Sequence, residues 1–150
     1  MTLYGIIVLI HVISAVCSLG AVFANPSIMK KGITVSAAKQ AIETAGTVEK
    51  YAKIGSITLL VSGIVLGILN PNLWSQGWYV VALVLYLAVQ PVLIIAIPKR
   101  VGKLVEMLEK AEGEELPKEY LPIAMQIGKL DNIARGSVVM LIVLMSLKPF

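Results

Sequence analysis

The chain has 150 residues, 57% of them hydrophobic and 15% charged, with a mean hydropathy of +0.85; an ordinary soluble domain carries about 25% charged residues. That balance reads as an integral membrane protein, and it argues against a nucleic-acid reader, a disulfide scaffold or a soluble enzyme. The formal charge of +4 matters through its placement, and the single cysteine, Cys17, excludes an internal disulfide and a CxxC metal or redox motif.

The stretch from Met1 to Met29 contains no Asp, Glu, Lys or Arg. Its core from Gly5 to Ala24 matches the roughly 20 residues that cross a bilayer, which makes it the first expected span. A cleaved signal peptide would carry its positive charge before the apolar run, whereas here the lysines follow it. Ile54 to Pro98 is a second charge-free stretch, interrupted by Asn70-Pro71-Asn72, residues that favour a tight turn. It reads as a hairpin of two spans, 54–69 and 77–97. Trp74, Trp78 and Tyr79 beside the turn suit the headgroup boundary.

The last apolar run, Gly136 to Leu147, would extend only about 18 Å as a helix, so the fourth span is expected to start near Leu130. That start brings in Asp131 and Arg135 at the i, i+4 spacing of a helical ion pair. Five basic residues lie between Asn25 and Lys53 and seven between Pro98 and Gly136, so twelve of the thirteen fall in the two long connections. The positive-inside rule then places both connections in the cytoplasm and both termini outside. Val101, Leu104, Val105 and Leu108 repeat at helical spacing, which extends the third helix beyond the membrane. Ser36 before Ala37-Ala38 reads as an N-cap for a similar extension of the second helix, and Glu112, Glu114 and Glu115 as a solvated turn. The expected fold is an all-α, polytopic four-helix bundle with cytoplasmic helix extensions, one domain over residues 1–150 with spans near 5–24, 54–69, 77–97 and 130–147.

Ionisable groups inside a membrane are costly and tend to be functional, so the sole histidine, His11, is the first candidate site residue. Ser14 and Ser18 follow at i+3 and i+7 and form a polar stripe with it that should face the bundle interior. A neutral imidazole there can ligate haem iron, or it can be a structural group hydrogen-bonded across the bundle. Counting helical rise from the outer ends, the His11 layer meets Ser62 and Gly63, Leu83 to Tyr86, and Met140 to Met145. Tyr86 offers a hydrogen bond and Met140 or Met145 a thioether. Gly63 and Gly67 offer either a smooth ligand surface or close helix packing. Gln90-Pro91 marks a kink or a polar pocket in the third helix. Copper is a further possibility for imidazole and thioether ligands, although Cys17 points about 120° away from His11 on a helix.

Three segments carry a family resemblance: IHVISAVCSLGAVFANPSIMK in the first span, GWYVVALVLYLAVQP in the third and VLMSLKP at the C-terminus. They resemble the small four-helix predicted integral membrane proteins, a group similar at a distance to the copper-resistance D membrane domain and to the oxygen-independent membrane protoporphyrinogen oxidases. The resemblance implies His11 as a haem ligand and Lys148 as its outer basic partner. The chain departs from the oxidase pattern in having no second histidine and no lysine in the third helix, so a bis-histidine haem would require a homodimer.

The expected function is therefore that of a bacterial inner-membrane protein binding haem b through His11 as metal ligand. Ser14, Ser62, Tyr86, Met140 and Lys148 would stand around the cofactor, serving electron transfer, haem handling or sensing. Two rivals belong to other classes. One is a cofactor-free accessory subunit that contacts a membrane-protein partner or anionic lipid. The other is a small transporter or channel with a polar path through Ser62, Tyr86 and Gln90, not coupled through a buried carboxylate. The partners are the lipid bilayer and a second membrane chain, with no nucleic acid.

Overall fold

Long, predominantly apolar runs, several with charged extensions, form helices whose backbone polar groups satisfy one another, as a membrane requires. In the computed structural model, which describes residues 2–150, these runs become α1 (Leu3–Met29), α2 (Val35–Leu69), α3 (Gly77–Pro91), α4 (Ile97–Glu109) and α5 (Tyr120–Leu147). A 3-10 turn, Pro71–Ser75, joins α2 to α3, and a π-helical turn, Val92–Ala96, fuses α3 and α4 into one element of 33 residues. Four elements are long and apolar enough to cross a membrane. The start of α1 at Tyr4 and the C-terminal Phe150 lie at the end of the bundle that holds the Pro71–Ser75 turn, where the Trp78 amide donates to Phe150 O at 3.0 Å. That end is called the turn end below, and the opposite one, with the two longer connections, the loop end.

Each helix overruns the span expected for it. α2 has 35 residues, about 52 Å at 1.5 Å per residue, against a hydrocarbon layer of roughly 30 Å. α5 begins ten residues before Leu130. The overrun at the loop end is held by protein rather than lipid. Leu104 and Leu108 of the amphipathic stripe are almost fully buried, packed with Val35, Ala38, Tyr120 and Ile127.

Pro91 lacks the N–H that a helix interior needs, and the ladder shifts behind it, with the Ile97 amide donating to Val92 O in the i+5 pattern. Pro98 then removes a second donor, and Arg100 Nη1 caps Ala96 O at 2.9 Å. The kink expected at Gln90-Pro91 is thus a π turn inside a continuous element.

Three local expectations are corrected. The N-cap of α2 is Thr34, whose Oγ1 accepts from the Ala37 amide at 3.3 Å, and Ser36 lies in the first helical turn. The chain turns tightly at Gly32, where a Cβ would stand 2.8 Å from Ala38 Cα. Glu114 is not a free member of a solvated turn, because its Oε2 accepts from the Ser36 amide at 3.1 Å and from Ser36 Oγ at 2.6 Å. The Val35 amide also donates to Glu114 O at 3.1 Å. A carboxylate suits a helix N-terminus, where unpaired amides and the helix dipole favour negative charge. Gly113, with φ +89°, supplies the left-handed residue this approach needs. Finally, Arg135 turns to Asn132 Oδ1 and forms no ion pair with Asp131; among the described residues the salt bridge is Lys53–Glu49 at 3.0 Å.

The helices associate as two pairs. α1 lies along α2, and α5 lies along α3 and α4. Among the described residues no Cα of α2 comes within 8 Å of a Cα of α3. Two cavities occupy the space between the pairs, about 670 Å³ towards the turn end and about 520 Å³ towards the loop end.

Candidate functional site

The first cavity runs along α1 from Tyr4 to Phe23, and its wall includes His11, Leu59, Ala82 and Leu141. Its volume of about 670 Å³ falls in the roughly 300–1,000 Å³ range of small-molecule sites. His11 reaches it because Gly63 stands opposite on α2; a Cβ there would lie 3.2 Å from His11 Cε1.

His11 Nδ1 lies 2.9 Å from Ser62 Oγ. The Ser62 hydroxyl has a single proton, and Thr58 O at 2.6 Å and Leu59 O at 3.1 Å compete for it. Ser62 Oγ therefore accepts from Nδ1–H, and Nε2 carries the imidazole lone pair. One imidazole nitrogen is thus held by the protein and the other keeps its lone pair. Ser62 itself stands behind His11, outside the cavity wall.

Tyr79 and Tyr86, seven residues apart on α3, bridge the gap to α2. Tyr79 Oη donates to Gly63 O at 2.9 Å and Tyr86 Oη to Ser56 O at 2.8 Å. The acceptors are also seven residues apart and in reverse order, so two tyrosines set the antiparallel register of helices whose backbones do not touch. The bond expected between Tyr86 and the His11 layer goes instead to Ser56, six residues further along α2. Tyr79, expected at the headgroup boundary, is buried with Trp78, whereas Trp74 is 45% exposed. Trp74 Nε1 donates to Gly67 O at 3.1 Å. Gly63 and Gly67 therefore accommodate side chains, namely His11, Tyr79 and Trp74. The close backbone approach of α1 and α2 occurs at Gly55, where a Cβ would stand 3.1 Å from Ser14 O and from Ser18 N.

Other expected site residues divide. Lys148 lines the cavity at the turn end, with Nζ 5.4 Å from the Trp78 ring centroid. It ends α5 in a left-handed conformation, φ 46°, since Pro149 disfavours a right-handed one before it. Ser14 is buried against α2 and does not line either cavity. Met140 is 54% exposed on another face of α5, while Met145 lines the cavity. Ser62 and Gln90 do not share a cavity wall, so the expected path through Ser62, Tyr86 and Gln90 is not a continuous lining. Cys17 lines neither cavity. Sequence reasoning missed Ser56, Gly55 and the role of Tyr79. The available signal was the seven-residue spacing of Tyr79 and Tyr86, mirrored by Gly63 and Ser56 across an antiparallel hairpin.

No curated protein and no solved structure matches the chain. The model of the family described as "Predicted integral membrane protein (DUF2269)" matches residues 5–149. A match over nearly the whole length, on four apolar helices that can cross a membrane, makes this chain a member of that integral membrane protein family.

Proposed function

We propose that this protein binds a haem-type tetrapyrrole, haem b, within the bilayer, held through His11 Nε2, and serves electron transfer, haem handling or sensing. The observation that carries the reading is the Ser62-held imidazole at the wall of an apolar cavity. The residues present fit such a group. The imidazole tautomer is the ligating one, Gly63 keeps the ring unobstructed, and Lys148 at the rim is a cation for acidic substituents. Met145, rather than Met140, is the thioether that would stand beside the group. When bound, haem would supply one-electron chemistry. The chain's own residues orient the ligand, exclude water and balance charge at the rim. With one histidine per chain, a bis-histidine site takes a second copy.

The reading includes an orientation: a multi-pass protein of the bacterial inner membrane with the loop end in the cytoplasm. The twelve basic residues of the two long connections support it.

The test is spectroscopic. Wild type and His11→Ala, produced with adequate haem and purified in mild detergent, are compared in the oxidised and reduced states. The expected result is a Soret band with split reduced bands, lost in the variant at comparable yield and helicity. A folded but colourless wild type overturns the proposal and leaves the cofactor-free accessory subunit, to be pursued through copurifying membrane partners.

A further inference from the structure

The second cavity, about 520 Å³, lies towards the loop end between the two helix pairs, and its size suits a small molecule. Its charged wall residues sit nearest the loop end and are compensated: Lys53 Nζ is 3.0 Å from Glu49 Oε1, and Asp131 feels the Arg135 charge one helical turn away. Deeper in, the polar wall groups are neutral, namely Ser18, Ser56, Tyr86 and Gln90. Ser56 and Tyr86 bond each other. Ser18 and Gln90 make no side-chain hydrogen bond among the described residues, although Ser62 and Ser137 satisfy their hydroxyls on carbonyls of their own helices. Ser18 is only 7% exposed. Among the described residues the enclosed side-chain polar atom without a partner is Asn25 Oδ1. Ser18 Oγ and the Gln90 amide therefore keep open surface, and both residues line this cavity.

The two groups share one depth. By helical rise Ser18 lies about 22 Å from Leu3 and Gln90 about 20 Å from Gly77, both counted from the turn end. They stand on separate walls, since no Cα of α1 comes within 8 Å of a Cα of α3. A hydroxyl and an amide without partners are costly among aliphatic side chains, and each can both donate and accept. A flat ring with one oxygen at each end meets both walls at once. A quinone would accept from the Ser18 hydroxyl and the Gln90 amide N–H, and the corresponding quinol would donate to Ser18 Oγ and Gln90 Oε1. Neither form brings a charge into the cavity, and an apolar tail matches the aliphatic walls.

We propose that the loop-end cavity binds a membrane quinone, in its oxidised and reduced forms, between Ser18 on α1 and Gln90 on α3. The site is separate from the His11 cavity and does not depend on the haem reading.

The experiment uses the full chain, produced without added haem, in phosphatidylcholine nanodiscs, with protein-free nanodiscs as the partition blank. The lipid supplies ester carbonyls in large excess, so a site for any carbonyl-bearing lipid would retain no quinone above the blank. The probe is tritium-labelled 2-decyl-1,4-benzoquinone. Its retention above the blank should be saturable, and unlabelled quinone and quinol should displace it about tenfold or more effectively than decylbenzene, which has the ring and tail without the oxygens. Ser18→Ala and Gln90→Leu should each weaken that preference and together remove it, while Gln40→Leu, on the exposed face of α2, should leave it intact. In the infrared the carbonyl band of bound quinone should be downshifted in wild type and not in the double variant. No saturable retention, or equal displacement by quinone and decylbenzene, overturns the proposal on wild type alone. So does an unchanged preference in a folded double variant, which would mean that Ser18 and Gln90 meet only water.

Discussion

His11 Nδ1 and Ser62 Oγ, 2.9 Å apart, join α1 to α2 through the protein's single histidine, and Ser62's own proton is committed to the helix carbonyls behind it. The hydroxyl thereby selects the imidazole tautomer.

Ser62→Ala removes this selection without altering the cavity wall. Loss of an outer partner of a ligating histidine typically costs about 10–100-fold in ligand affinity. If the protein binds haem as proposed, Ser62→Ala should weaken that binding by this order in a spectral titration while keeping the fold. Unchanged affinity would show that the serine does not orient the ring.

The two tyrosine bridges predict an additive pair. Tyr79→Phe and Tyr86→Phe each remove one hydroxyl-to-carbonyl bond, and side-chain hydrogen bonds in membrane proteins average about 0.6 kcal/mol with a maximum near 1.7. The sites are about 10 Å apart by helical rise, so the double variant should lose roughly the sum, within about 0.5 kcal/mol. Unfolding in mixed micelles measures this, and a strong departure from additivity would mean that the bridges form as one unit.

Glycine substitutions should separate by what faces them. At Gly67 a Cβ would stand 2.5 Å from Tyr79 Oη and 3.0 Å from Trp74 Nε1, and at Gly55 it would meet the α1 backbone. Gly67→Ala should destabilise by about 1–3 kcal/mol, and Gly55→Ala by at least as much because a backbone cannot turn aside. Gly102 on α4 has no atom within 4 Å of its Cβ position, so Gly102→Ala should stabilise by roughly 0.5–1 kcal/mol. Thermal unfolding of the three variants gives the order.

Glu114 predicts a pH dependence. Hydrogen bonds from the Ser36 hydroxyl and amide hold its carboxyl below the ordinary value of 4.5. A lowered folded-state value stabilises the fold fully above the ordinary value, and the contribution is lost as pH falls through the folded value. Wild type should therefore lose melting temperature on acidification below about 4.5, and Glu114→Gln should show a smaller loss over the same window. Equal acid sensitivity in the two proteins would leave the Glu114–Ser36 contact without a role in stability.

Orientation is read by cysteine accessibility. In a Cys17→Ser background, Asn72→Cys should react with an impermeant maleimide in intact cells, and Glu112→Cys only after lysis. The reverse pattern would invert the topology.

How far the sequence reaches is clearest at His11. Its pairing with the Ser62–Gly63 layer follows from counting helical rise along neighbouring spans, because 1.5 Å per residue and a fixed bilayer thickness leave little freedom of depth. Tyr79 rather than Tyr86 meets that layer: the bonds from Tyr79 to Gly63 and from Tyr86 to Ser56 put Tyr86 seven residues further towards the loop end, an offset between the hairpin helices that counting from the turn does not fix. Met140 and Met145 share the expected layer, but only rotation about α5 decides that Met145 meets the cavity. Periodicity in a helix that is apolar all round carries almost no phase information.

The amino-acid sequence by itself determined the membrane class, the number of spans and the turn at Asn70-Pro71-Asn72, because hydrophobic length and charge placement act locally along the chain. Tertiary structure alone decided that Glu114 caps α2, that Gly55 rather than Gly63 or Gly67 seats α1, and that Asp131 borders a cavity while Arg135 turns to Asn132. Each of these depends on how two or more helices are rotated and offset against one another, and that geometry is set by side-chain packing between segments far apart in the sequence.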